Sequence, residues 1–265
     1  VADRNHGRNV LDLTFEDITT TLTESSTLCL PLGSIEQHGP HLPLNTDSVI
    51  AEAVTDLIIA RWSPQHDLWR LPLLSMGLSW EHAWAPGTMS LSTMGMAVML
   101  RDWSREIIRA LPARNVLFVN GHGGNRGILE SIMPELSEEL GLNLCAMHLG
   151  ALMSPVPASG LPEIHAGRDE TSLMLALAPH LVRIDRFERL TASLDGDVVR
   201  GTILHPGVSW PWSSGDRRIS DMGVIGKVDG ATQAHGEAII EAILSVAGGV
   251  LSQMNENFSV SSGSG

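Results

Sequence analysis

Four side chains able to bind a cation or move a proton fall within one short stretch: Glu36, His38, His41 and Asp47. The stretch begins as the apolar run Leu30-Pro31-Leu32 and becomes a polar loop broken by Gly33, Gly39, Pro40 and Pro43. Two carboxylates and two imidazoles this close repel or desolvate one another unless something offsets their charge. A bound divalent cation is the simplest offset. Residues two apart in an extended loop point to a common side. Glu36 and His38 therefore suit one metal, or one of two neighbouring metals each, against the alternative of a solvated loop pair. Asp47 also fits a carboxylate in the first turn of a helix. His41 fits a ligand, a group behind the ligands, or a structural residue.

Two further constellations carry similar chemistry. His122 lies in Asn120-Gly121-His122-Gly123-Gly124-Asn125, a tight turn between a β-branched run and a helical one. Glycine N–H groups at a helix start can cradle phosphate. However, the dinucleotide pattern fails at Arg126 and the lysine of a P-loop is missing, so ligation by His122 is the better reading. Downstream, His165 precedes Glu170 by five residues. Imidazole suits proton transfer at neutral pH, which makes His165 a candidate acid/base and Glu170 a candidate ligand or a helix-start carboxylate. The loop from Met76 to Thr88 holds Trp80, Glu81, His82 and Trp84 and is too polar and broken for regular structure. Glu81 and His82 could contact substrate or each other.

The elements that must position these groups alternate. Strands are expected over 27–32, 68–74, 115–120 and 142–148, and helices over 12–22, 46–62, 92–111, 126–140, about 170–178 and 231–252. Short strands and loops are expected between Asp185 and Gly230, and a loop over 154–160. The alternation predicts an α/β fold: a three-layer α/β/α sandwich with a mostly parallel central sheet. The site would lie outside the C-terminal strand ends. One domain over residues 1–254, followed by a flexible tail over 255–265, accounts for the whole chain.

Composition narrows the partners. The 265 residues carry 17 Lys+Arg against 30 Asp+Glu, a net charge of −13, with no basic stripe. Nucleic acid and anionic membranes are excluded as natural partners. No apolar run approaches the roughly 18–20 residues of a membrane span. Cys29 and Cys145 sit in apolar segments, the pattern of reduced core thiols and a cytoplasmic location. Tryptophans at 80, 84, 210 and 212 fall in loops, where they can line a pocket.

Gly33-Ser34-Ile35-Glu36-Gln37-His38-Gly39-Pro40-His41-Leu42-Pro43 with Thr46-Asp47, Asn120 to Asn125, and His165-Ala166-Gly167-x-x-Glu170-Thr171-Ser172 together resemble the creatininase (creatinine amidohydrolase) family. Pro86-Gly87-Thr88 and Gly223 to Gly226 look like it too, and the similarity runs from about residue 27 to 250. The resemblance implies an α/β/α sandwich, two divalent metals (zinc foremost, manganese or iron otherwise) and a homo-oligomer, often a hexamer. It implies that Glu36 and His122 hold one metal, His38 the other, and Asp47 both, with His165 catalytic. Creatinine-acting members carry a glutamate where this chain has Gly124. Members with Gly-Gly take the missing carboxylate from the later glutamate, here Glu170. The tryptophan that flanks substrate in creatinine-acting members is replaced by Leu161.

The expectation is thus an amidohydrolase cleaving a C–N bond of a small cyclic amide or formamide. A water bridging two cations would supply hydroxide, and Gly123 and Gly124 N–H groups would help hold the oxyanion. Trp80, Glu81 and His82 would line the substrate. A peptidase of the mycofactocin-precursor type and a non-catalytic small-molecule binder are the alternatives.

Overall fold

The computed structural model describes residues 8–153, 161–190 and 194–262. The loop expected over 154–160 lies outside them. Its centre is a four-stranded sheet of order β2-β1-β3-β4, built from β1 (Thr27–Leu32), β2 (Leu68–Arg70), β3 (Asn115–Asn120) and β4 (Asn143–His148), all parallel. Strand β2 is shorter than expected, ending at Arg70 instead of Leu74. Leu74 returns only as an isolated bridge to Leu32.

Side-chain alternation along the strands fills two separate cores. Leu28, Leu30, Leu32, Val116 and Phe118 pack on one face with Met96, Leu100 and Ile107 of α3 (Thr93–Ala110) and Leu129, Ile132 and Leu136 of α4 (Arg126–Leu140). Cys29, Leu117 and Val119 fill the other face with α2 (Thr46–Trp62), α6 (Arg168–Leu177) and α8 (Gln233–Ser262). The result is the expected three-layer sandwich. Smaller helices α1 (Phe15–Thr21), α5 (Leu149–Met153) and α7 (Gly196–Thr202) complete it.

Two boundaries obey local rules. Helix α3 starts where the Ser92 hydroxyl accepts the Gly95 N–H. Helix α4 stops at Gly141, whose φ of 64° suits glycine. Three expectations need correction. Among its described residues, the region from 185 to 230 holds a 3-10 helix, Ile184–Arg189, and α7, with isolated bridges instead of strands. Its turn residues mask a short helix that packs by Val199.

The closing helix continues through Ser262 instead of fraying after Met254. Side-chain bonds along its polar end, such as Gln253 to Asn257, support it. Helix α8 is also long and apolar enough, by length and composition, to cross a membrane. Here Ile239, Ile243, Leu244, Ala247, Leu251 and Met254 bury that apolar surface in the core instead.

The sheet order sets the site. β1 connects through α2 to β2 on one side, and β3 connects through α4 to β4 on the other. A crevice therefore opens between the C-terminal ends of β1 and β3, where open α/β sheets bind ligands. The register pairs Leu32 with Asn120, so Glu36 and His122 emerge side by side.

Candidate metal centre

The loop after β1 folds back over the first turn of α2. There Asp47 Oδ2 accepts the Ser34 hydroxyl at 2.5 Å and His122 Nδ1 at 3.0 Å. Asp47 Oδ1 accepts His38 Nε2 at 3.1 Å. Gly121 makes this approach possible, since a Cβ there would lie 2.4 Å from the Asp47 carbonyl oxygen. Glu36 is fully buried, and neither of its carboxylate oxygens has a hydrogen-bond partner. Instead Oε1 is ringed by imidazole nitrogens: His122 Nδ1 at 3.3 Å, His82 Nε2 at 3.5 Å, His165 Nδ1 at 3.6 Å and His38 Nε2 at 4.0 Å.

An unpaired buried carboxylate costs several kcal/mol. Its residues fit a cation that would bond to it. Ligand atoms of Glu36, Asp47 and His122 lie within 4.8 Å of one another, as do those of His38, Asp47 and Glu170 and those of Glu36, His38 and His165. Asp47 belongs to both of the first two groups, the arrangement expected of a carboxylate shared by two cations.

The electrostatics are those of protons standing where cations fit. Burial pushes the Asp47 carboxyl up, but His38 and His122 together hold it well below the usual range. Burial likewise pushes Glu36 up, and His122 reverses this so that it ends lowered. The paired imidazoles respond. Burial disfavours their charge, yet Asp47 raises His38 to about 9, and Glu36 and Asp47 raise His122 well above its ordinary value. Burial raises Glu170 to about 7, aided by Asp47 and Glu36. Metal entry at such a site would release protons.

Ring orientation is set from behind. His122 Nε2–H donates to the Leu78 carbonyl at 2.6 Å and leaves Nδ1 facing the carboxylates. His165 Nε2–H donates to the Gln37 carbonyl at 2.7 Å and turns Nδ1 inward. Burial, with His82 and His38 close by, holds His165 well below the ordinary histidine range, so it is neutral. Glu170 Oε2 accepts the N–H of Ala166, whose φ of 54° bends the chain between His165 and α6.

Most of the residues expected from sequence meet here: Glu36, His38, Asp47, His122, His165, Glu170 and His82. His41 lies behind them, its Nε2 3.0 Å from Thr171 Oγ1 and its ring edge-on to Phe187. Gly124 is packed tightly. A Cβ there would sit 2.2 Å from the Leu78 oxygen, 2.5 Å from His122 Nε2 and 2.9 Å from Glu81 Oε1. No side chain fits at 124 without rearrangement. Glu81 approaches His122 Nε2 at 4.0 Å. Gly123 is open, with nothing within 4 Å of a Cβ position.

Trp80 is largely exposed, and its indole N–H is bound to the Leu91 carbonyl. Trp84 and Trp212 approach the histidines more directly. Trp84 Nε1–H donates to Ser214 Oγ at 2.8 Å, and Trp212 meets His82 edge-on.

Sequence reasoning passed over Gln37, Asn125 and Ser214. Asn125 ties Gly33 and Leu78 together and so joins the loops after β1 and β2. Gln37 was findable, because it lies between two candidate ligands. Ser214 left no sequence signal.

Comparisons with known proteins agree with this geometry. The chain is 35% identical over 226 residues to the mycofactocin precursor peptide peptidase of Mycobacterium tuberculosis (strain CDC 1551 / Oshkosh), covering 83% of this chain and 82% of that protein. It is 27% identical to the creatinine amidohydrolase of Pseudomonas putida, covering 87% and 89%. A solved mutant creatininase of Zn-Zn type superposes with a TM-score of 0.71 at 25% identity, covering 94% of this chain and 97% of that one. The family profile of creatininase, described as creatinine amidohydrolase, matches residues 11–247. The chain therefore belongs to the creatininase family of hydrolases.

Proposed function

We propose that this chain is a two-metal amidohydrolase, with Glu36, Asp47 and His122 holding one divalent cation and His38, Asp47 and Glu170 the other. The observation that carries this reading is the fully buried Glu36 carboxylate with neither oxygen hydrogen-bonded, inside clusters that share Asp47. Zinc is the first choice because such a histidine and carboxylate set suits it, and a solved relative is of Zn-Zn type. When bound, such a pair supplies a water acidic enough to attack at neutral pH and Lewis acidity toward a carbonyl. In this reading His165 takes a proton on Nδ1 and returns it to the leaving nitrogen, a role supported by its Nε2–H being tied to the Gln37 carbonyl.

The bond cleaved is a C–N amide bond. A peptide substrate is favoured by the peptidase relatives, which share more identity with this chain than the creatinine amidohydrolase does. Gly124 and Leu161 support it, since both differ from the residues expected of creatinine-acting members. The second reading, a small cyclic amide or formamide, rests on the creatinine amidohydrolase relative.

The test loads the chelator-treated protein with zinc and offers a panel of short peptides, creatinine, lactams and formamides, followed by mass spectrometry. About two zinc ions per chain and cleavage of a peptide are expected. Cleavage of creatinine or a lactam alone moves the substrate to the second reading. Less than one tightly held metal per chain removes the proposal.

A further inference from the structure

His82 carries a proton whose place can be deduced. Its ring is 2% exposed and stacks on His165, with centroids 4.0 Å apart and planes 24° apart. Its Nδ1 faces two groups, Ser214 Oγ at 2.7 Å and Gln37 Nε2 at 3.0 Å. The Gln37 amide can point only one way. Its Oε1 accepts the Gly39 N–H at 2.8 Å, and its Nε2 donates to the Gly223 carbonyl at 3.1 Å.

The NH2 group therefore faces His82, and an amide NH2 can only donate. Ser214 Oγ takes the indole proton of Trp84, a donor only, and its own hydrogen has two acceptors in reach, the Glu81 carbonyl at 3.3 Å and His82 Nδ1 at the shorter 2.7 Å. Gln37 requires Nδ1 of His82 to accept, and the shorter of the two Ser214 contacts agrees. The proton of a neutral ring then sits on Nε2. That atom lies 3.5 Å from Glu36 Oε1, too far for a good hydrogen bond and aimed into the cluster.

His165 is its complement. Its Nε2 is 3.1 Å from the Gln37 amide nitrogen but 2.7 Å from the Gln37 carbonyl oxygen, which can only accept. The His165 proton goes there, and Nδ1 is left bare 3.6 Å from the same Glu36 oxygen. Two stacked imidazoles thus present one N–H and one lone pair to the same space.

We propose that His82 donates its Nε2–H to the substrate oxygen that gains negative charge, with Gln37, Ser214 and Trp84 as positioning residues that fix its tautomer. This rests on the two-metal reading above and adds a division of labour: His165 moves the proton and His82 steadies the oxyanion.

The test is read first without substrate. Two-bond proton–nitrogen spectra of histidine-labelled protein, chelator-treated and then zinc-loaded, report which ring nitrogen is protonated. The His82 signals are assigned by their loss in His82→Phe. An Nε2–H form is expected in both states, and Ser214→Ala should give a mixture of tautomers in a protein whose circular dichroism is unchanged. On whichever panel member is cleaved, His82→Phe should lower kcat about 100-fold, the scale of losing one oxyanion donor, with zinc content retained and KM within about two-fold. A proton on Nδ1, its displacement from Nε2 by zinc, or an unchanged kcat would each overturn the proposal. If no panel member is cleaved, the two-metal amide reading falls and the spectra alone decide this one.

Discussion

The two halves of the candidate site are built differently. Glu36, Asp47 and His122 stand on the ends of regular elements: the loop leaving β1, the first turn of α2 and the turn leaving β3. Six consecutive residue pairs link β1 to β3, so these side chains converge with the sheet. His38 shares the β1 loop with Glu36, but the Glu170 and His165 that complete its side of the site depend on a different device. Glu170 and His165 come from a segment that reaches the site through the left-handed Ala166, an antiparallel bridge from His165 to Ile225, and the Gln37 carbonyl. One half is an outcome of strand register, and the other is recruited from across the molecule. A metal centre can therefore keep one position fixed while the partner carboxylate is drawn from another part of the chain.

The largest effect should come from the residue that both halves share. Asp47→Ala is expected to empty both metal positions and reduce turnover by at least about 10³-fold, as for groups that act as a unit. Metal analysis on the purified variant checks this, and two retained zinc ions would erase the distinction between the halves. Glu170→Gln should be more selective. One zinc per chain should remain, on the strand-anchored side, with turnover down about 100-fold, as when a single charge-stabilising group is lost. Loss of both metals would show the halves to be interdependent.

Gly124→Ala probes the proposal that the second carboxylate comes from α6. The new methyl meets the Leu78 carbonyl and His122, so a loss of about 1–3 kcal/mol is expected in denaturant unfolding. Unchanged stability would mean that position 124 has room and that the α6 glutamate is not forced by packing. The smallest effect concerns His41, which underlies the recruited half. Burial, with His38 nearby, lowers it to about 4. Between that value and about 6.5 the unfolded chain binds a proton that the folded one refuses, so stability present above this window is lost as pH falls through it. Unfolding of the metal-free protein at pH 7 and pH 4.5 should show His41 contributing on the order of 1–3 kcal/mol to the difference. The difference should shrink in His41→Gln, and an equal one would remove His41 from that account.

Legibility follows the same division. The strands at 27–32 and 115–120 and the helices at 46–62 and 126–140 appear where the hydrophobic pattern places them, the last ending at Gly141, because each element is fixed mainly by local preference and burial. Strand β2 is shorter than its apolar run because the regular ladder with β1 is broken at Pro72, which has no N–H, and backbone bonding resumes only at Leu74. Helix α7 was missed because turn-forming residues surround it. The closing helix was cut short at a polar run that its own side-chain bonds carry. Among site residues, Glu36, His38, Asp47 and His122 stand out by type and spacing in loops next to strands. Gln37 and Ser214 do not, because an amide and a hydroxyl are ordinary in loops until they meet a histidine.

The sequence by itself determined the succession of strands and helices along the chain, and with it a site outside the C-terminal strand ends; the sheet order that opens the crevice between β1 and β3 came from the tertiary structure. The sequence also determined the residue types that a cation and a proton shuttle require, since periodicity and side-chain chemistry are local properties. Only the tertiary structure decided which carboxylate faces His38, that no side chain fits at Gly124, and that Ser214 and Gln37 both aim donors at one face of His82. Those are contacts between residues up to 132 positions apart. Their distances follow from how two apolar cores press the layers together, which no local pattern encodes.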